Sequence, residues 1–403
     1  MNEQMKLDPS ASQDAPSLIP VDRGSGWILL GIYVGFFVLI SVGFAMGGTF
    51  GSFAETGITF VPLTLLATLA YMGRSSLPGR LITLIWLAFL ALGMAVLSFG
   101  MVNVAVMPSE ILSGGAAGAA NADVSSELLS TVGTTTLYTG IVLLFSLLGF
   151  VPALRRSLSR IVPLDPNSFV HTVALVAVTA LSLVSFVPLL VLGEPALLTE
   201  NALATLGEAL GEGTDALLTQ TYTLVWIIPA SIVAVGYGLR RNLADAFARL
   251  GLEWPTFRQV GVGIATALVL VVLVNLLEPG MAWVWERMGW PQTDGDAFGE
   301  LLSFAFSPLG AVVIGVTAGL GEELGVRGIL QPRLGIFLSN LFFTSLHALQ
   351  YNWDALLVVF VLGMVFGVLR KRTNTSTSAI AHGVYNFTLI MLAVYEISLF
   401  GGG

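Results

Sequence analysis

Long stretches of this chain carry almost no charge. Between Trp27 and Phe400, runs of about 16 to 24 mostly apolar residues recur, each long enough as a helix to cross the ~30 Å hydrocarbon layer of a bilayer. A membrane admits only helices and closed barrels, because every backbone N–H and C=O must be paired within the protein. Barrel strands are far shorter and alternate in polarity, whereas these runs are apolar all round. The sequence therefore predicts an all-α fold, a polytopic membrane helical bundle of about eleven transmembrane helices. Their centres fall near Phe37, Leu65, Ala91, Leu143, Thr179, Ile228, Leu268, Ile314, Phe342, Val361 and Ile390.

Basic residues set the orientation, since positively charged loops stay in the cytosol. With a cytosolic N-terminus, eleven spans put every Lys and Arg on the cytosolic side except Arg287 and the intramembrane Arg327. The outer loops collect acids instead, among them Glu194, Glu200, Asp215, Asp294 and Glu300. Trp283, Trp285, Trp290 and Trp353 near outer span ends form an aromatic belt, with Trp27 and Trp254 as inner counterparts. The expected location is the cell membrane, as an integral multi-pass protein whose direct environment is the lipid bilayer. A net charge of −8 without a basic stripe argues against a nucleic-acid partner. The chain has no cysteine, so disulfides, thiolate catalysis and cysteine-ligated zinc are excluded.

Three regions are expected. Residues 1–25 form a polar cytosolic tail without a cleavable signal; 26–255 form an accessory transmembrane region of six spans plus an interfacial helix over Leu243 to Phe257; 256–403 form a five-span working core. The segment Pro108 to Gly133, rich in Gly, Ala and Ser, reads as a mobile outer loop. Gly193 to Thr221 reads as a surface helix. The division at 255 follows the ionisable residues, which are nearly absent from the first six spans and gather in the last five.

Polar groups inside hydrocarbon cost several kcal/mol unless they are paired or face a cavity, so an intramembrane cluster is read as functional. Three stretches supply one. In GEELGVRG, adjacent Glu322 and Glu323 point about 100° apart on a helix. Arg327, four residues after Glu323, is spaced for an ion pair with it, which leaves Glu322 facing elsewhere. The surrounding Gly319, Gly321, Gly325 and Gly328 allow close backbone approach. In FFTSLHALQY, His347 shares a face with Phe343; in HGVYN, His382 shares one with Asn386. Counted along the helices at ~1.5 Å per residue, Glu322, His347 and His382 lie about 15, 18 and 9 Å from the cytosolic span ends, at depths that one water could bridge.

EELGVR, FTSLH and HGVYN, in this order, resemble the signature of the type II CAAX prenyl endopeptidase and bacteriocin-processing group of intramembrane proteases, also called CPBP or Abi. The likeness covers roughly Gln259 to Leu399 and leaves the first 250 residues unexplained; Val326 departs from the aromatic residue usual before the arginine. The resemblance implies an endopeptidase that hydrolyses a peptide bond of a membrane-associated or lipidated peptide or protein, at a site opening toward the cytosol. Glu322 with His347 would activate a water, His382 and Asn386 would polarise the carbonyl or hold the oxyanion, and Glu323 and Arg327 would organise the site. The family's metalloprotease label implies Zn2+ or another divalent metal on Glu322, His347 and His382. The HExxH signature is missing, so a metal-independent mechanism stays equally open.

Two readings from other classes stand beside the protease. One is an ion- or proton-coupled transporter using the buried carboxylates and histidines as a relay, although no repeated half or matched pair of broken helices is present. The other is a catalytically silent membrane partner, such as an immunity or assembly factor.

Overall fold

The computed structural model describes residues 23–107, 126–210 and 214–399. The tail before residue 23 and most of the Pro108 to Gly133 segment lie outside the described residues. Within them the architecture is helical throughout, without a sheet. In chain order the helices are α1 (Arg23–Met46), α2 (Gly48–Met72), α3 (Leu77–Val106), α4 (Ser126–Ser146), α5 (Pro152–Leu158), α6 (Phe169–Leu192), α7 (Glu200–Leu210), α8 (Thr214–Ala234) and α9 (Leu243–Leu250). There follow α10 (Phe257–Met288), α11 (Gly295–Leu301), α12 (Pro308–Glu323), a π-helix (Leu324–Leu330), α13 (Gln331–Ser345), α14 (Trp353–Arg372) and α15 (Thr375–Val394). The long helices bare apolar side chains on their outer faces: Leu81, Ile85, Leu92 and Val96 of α3 are each more than half exposed. A surface like that faces lipid rather than water.

Ten helical stretches among the described residues are long and apolar enough to cross a membrane. The longest, Pro308–Ser345, runs over 38 residues and holds both of the runs expected around Ile314 and Phe342. It is bent at Gly335, whose backbone (φ 75°, ψ 175°) is not helical and is open only to glycine. Arg327 and Phe343 would stand about 24 Å apart on a straight helix, yet the Arg327 guanidinium lies 4.4 Å from the Phe343 ring. The chain has doubled back. Leu330, Leu334 and Phe342 close the hairpin against Leu164 and Val178, and Val162 and Pro163 cover its tip at Gly335.

The expected inner interfacial helix is shorter than the spacing suggested. It ends at Leu250 because Gly251 takes a left-handed backbone (φ 69°) and caps it. The chain then runs extended to Thr256, which opens α10 with a capping box, and Thr375 and Ser376 hydrogen-bond this stretch at Leu250, Gly251 and Glu253. Trp254 and Phe257 stand almost fully exposed here, as interfacial anchors do. The expected surface helix over Gly193 to Thr221 resolves into a 3-10 turn (Ala196–Leu198), α7 and the start of α8.

The first six spans pack directly on the last ones. Val235, Ala246 and Leu250 bury against Leu324 of the π-helix, Arg249 donates to the Gly328 carbonyl at 3.0 Å, and Arg333 donates to the Tyr71 hydroxyl of α2. Between α12 and α15 the contact is backbone to backbone. A Cβ added at Gly319 would meet the Gly383 Cα at 2.7 Å, and one at Gly383 would meet the Gly315 carbonyl oxygen at 2.6 Å. Small residues at a crossing let intramembrane helices approach this closely, and the seam sets His382, the neighbour of Gly383, beside the end of α12.

Candidate active site

Glu322 and Glu323 are the last residues of α12, and the seven that follow form the π-helix. π-turns hold one extra residue per turn and recur at functional sites. Although adjacent, the two carboxylates have opposite surroundings.

Glu323 is fully buried and saturated with donors. One oxygen lies 3.2 Å from Arg327 Nη1 and 3.1 Å from His382 Nδ1; the other accepts the Ser378 hydroxyl at 2.5 Å. Arg327, also buried, donates from Nη2 to the Gly363 carbonyl at 2.8 Å and stacks its guanidinium between Phe343 and Phe366 at 4.4 and 5.9 Å. Each ion would cost several kcal/mol in hydrocarbon if left alone. Together they form an anchored pair that fixes three helices and the hairpin.

Glu322 is the free acid of the two. Its side chain is 35% exposed, and its Oε2 lies 3.8 Å from His382 Nε2. That oxygen is itself buried and has no hydrogen-bond partner among the described residues, which leaves it available for chemistry that the enclosed Glu323 cannot do. His382 stacks on Phe366 at 4.8 Å and 20°. A carboxylate can only accept, so the Nδ1 facing Glu323 carries a proton and Nε2 is the nitrogen turned to Glu322.

His347 follows the same logic. Its Nδ1 lies 3.0 Å from the Phe343 carbonyl oxygen, which fixes the proton there and leaves Nε2 as an acceptor. Phe343 links the histidines, with ring centroids 4.9 Å from His347 and 5.9 Å from His382. Glu322 is in ion-pair contact with His382 and not with His347 among the described residues. Asn386 lies one turn after His382 on α15, partly exposed. Its amide is bound to no other described side chain.

Three contributors escape the motif reading. Ser378 stands four residues before His382 on one face of α15, a spacing that could have suggested it. Phe366 comes from α14, and nothing in the sequence ties it to the site. Tyr351 lies between the spans with its ring parallel to His347, at 12° and 6.0 Å. Burial, and then the charge of Glu322, push its phenol well above the usual range, so it stays protonated at neutral pH.

Glu322, His347 and His382 do not gather as one donor set: no group of three His, Asp or Glu among the described residues is arranged to hold a metal.

Residues 304–388 match a family model described as type II CAAX prenyl endopeptidase Rce1-like. No curated protein and no solved structure matches the chain.

Proposed function

With residues 304–388 belonging to the type II CAAX prenyl endopeptidase Rce1-like family, we propose that the protein is an intramembrane endopeptidase. In this reading it hydrolyses a peptide bond near the lipidated C-terminus of a membrane-associated substrate, with Glu322 as the base. The observation that carries it is the unpartnered, buried Oε2 of Glu322 facing His382 Nε2 at 3.8 Å. A water held between these atoms would hydrogen-bond to both.

The steps balance with the residues present. Glu322 takes a proton from the water while the oxygen attacks the carbonyl carbon, and the C=O π pair moves onto oxygen. His347, with its Nε2 lone pair, accepts a hydrogen bond from the water's other O–H, which stays intact, and orients the attack. The Asn386 amide, and His382 when it carries both protons, donate to the oxyanion. The tetrahedral carbon then collapses, the C–N bond breaks, and the leaving nitrogen takes the proton from Glu322. Glu323, Arg327 and Ser378 touch no substrate; they hold His382 in one orientation and one tautomer.

The test uses the full-length protein in proteoliposomes with an internally quenched, farnesylated CAAX-type peptide. Wild type is expected to release the C-terminal residues, and Glu322→Gln to lose at least ~10³-fold in kcat, as when a catalytic base is removed, with unchanged thermal stability. Cleavage that survives Glu322→Gln overturns the reading. Run after chelation and dialysis, the same assay is expected to keep its rate; loss that zinc restores would assign the water activation to a metal instead.

A further inference from the structure

We infer that Tyr351 is a further catalytic residue, its phenol O–H donating a hydrogen bond to the substrate carbonyl oxygen as that oxygen becomes negative. This rests on the hydrolase reading above and adds a donor to it from the His347 side of the site.

The geometry comes from one turn of chain. Tyr351 N donates to the His347 carbonyl at 3.0 Å, so both side chains leave the same face, and the rings lie parallel at 6.0 Å. The Phe298 ring of α11 lies 4.8 Å away, centroid to centroid, and Tyr351 packs against the buried cluster of Leu189, Ala348 and Leu356. A ring held by these contacts has little freedom to swing away. Its hydroxyl is bound to no described group, and the side chain is partly exposed. The stacking on His347 places the ring beside a proposed member of the site, and burial together with the charge of Glu322 keeps the phenol protonated.

A protonated phenol can donate one hydrogen bond and is a poor proton source at neutral pH, so the role that fits is stabilisation without transfer. As the water oxygen bonds to carbon and its proton passes to Glu322, the carbonyl oxygen gains the π pair and the Tyr351 O–H bond stays intact. When the C–N bond breaks, the charge returns to carbon and the hydrogen bond weakens again. Preorganised donors of this kind act on the transition state more than on the bound substrate.

The experiment compares wild type, Tyr351→Phe and Glu322→Gln in proteoliposomes with the same quenched peptide and with its phosphinic-acid analogue, a mimic of the tetrahedral species. Tyr351→Phe keeps both ring contacts. It is expected to lower kcat about 10- to 100-fold, change KM by less than about twofold, and weaken the phosphinate by the same factor as kcat/KM. A wild-type kcat in Tyr351→Phe overturns the inference and leaves the hydrolase reading standing if Glu322→Gln is inactive. So does a loss carried wholly by KM. Should Tyr351→Phe fail to assemble, difluorotyrosine at 351, which keeps the O–H, is expected to retain kcat within about threefold; loss of activity there refutes it. A wild type that cleaves neither this peptide nor any membrane protein's terminus removes both proposals together.

Discussion

Glu322 and Glu323 differ by one position and by almost everything else. Glu323 is enclosed by Arg327, His382 and Ser378, so its charge is a structural element of the bundle; Glu322 keeps an unsatisfied oxygen and is free for chemistry. Removing one member of a buried ion pair leaves an uncompensated charge, typically at a cost of about 3–5 kcal/mol. Glu323→Leu and Arg327→Leu are each expected to lower the thermal unfolding midpoint in detergent markedly. The double variant Glu323→Leu with Arg327→Met should recover much of that loss while remaining inactive, because His382 then has no partner on Nδ1. If the single variants melt like wild type, the pair is not what anchors the site. The i, i+4 spacing of Glu323 and Arg327 made their pairing legible in the sequence. Their ring partners Phe343 and Phe366 were not, because a stacking contact leaves no spacing signature across separate helices.

At the scale of elements, two glycine devices bring the polar groups together. The Gly315, Gly319 and Gly383 seam lets α12 and α15 touch backbone to backbone, so that residues 59 or 60 positions apart can meet. Gly335 turns the chain through a conformation that side-chain-bearing residues avoid and returns Phe343 and His347 toward Arg327. Gly383→Val would force its Cβ toward the Gly315 carbonyl. It is expected to lose activity and destabilise by about 1–3 kcal/mol, as overpacked cores do. Gly325→Ala, whose Cβ would meet only Ile227 at an ordinary 3.7 Å, should be tolerated. Thermal melts and the peptide assay on the two variants decide it: equal behaviour would mean that the seam does not set the site. The glycine content of these helices was visible in sequence, but the partner of each glycine was not. Hydropathy likewise located the two apolar runs around Ile314 and Phe342, but not the bend at Gly335 that folds one back on the other.

For the whole molecule, the polar site is held from both sides of position 255. Leu250 and Val235 bury the π-helix, Arg249 and Tyr71 bind the Gly328 carbonyl and Arg333, and Ile227 lies against Gly321 and Gly325. Residues 256–403 expressed alone are therefore expected to aggregate or to be proteolysed, and to be rescued by co-expressing residues 1–255. A stable, active 256–403 fragment would show that the first six spans are dispensable scaffold. The ionisable residues in the sequence marked the last five spans as the chemical part. The dependence of that part on the earlier helices is carried by apolar packing, which looks the same in sequence whether a helix faces lipid or another helix.

Hydrocarbon imposes harsh local rules, and those the sequence decided unaided: helices rather than strands, a membrane rather than water, and a small set of acids, imidazoles and an amide too costly to bury without purpose. It also ordered those residues into motifs that resemble a known family, whose model matches residues 304–388. Which oxygen meets which nitrogen was settled only by the folded chain. Glu322 pairs with His382 rather than His347, Ser378 completes the Glu323 anchor, and Tyr351 arrives beside the site through a hairpin. Such contacts depend on where two backbones cross to within an ångström, and no term in the local sequence carries that distance.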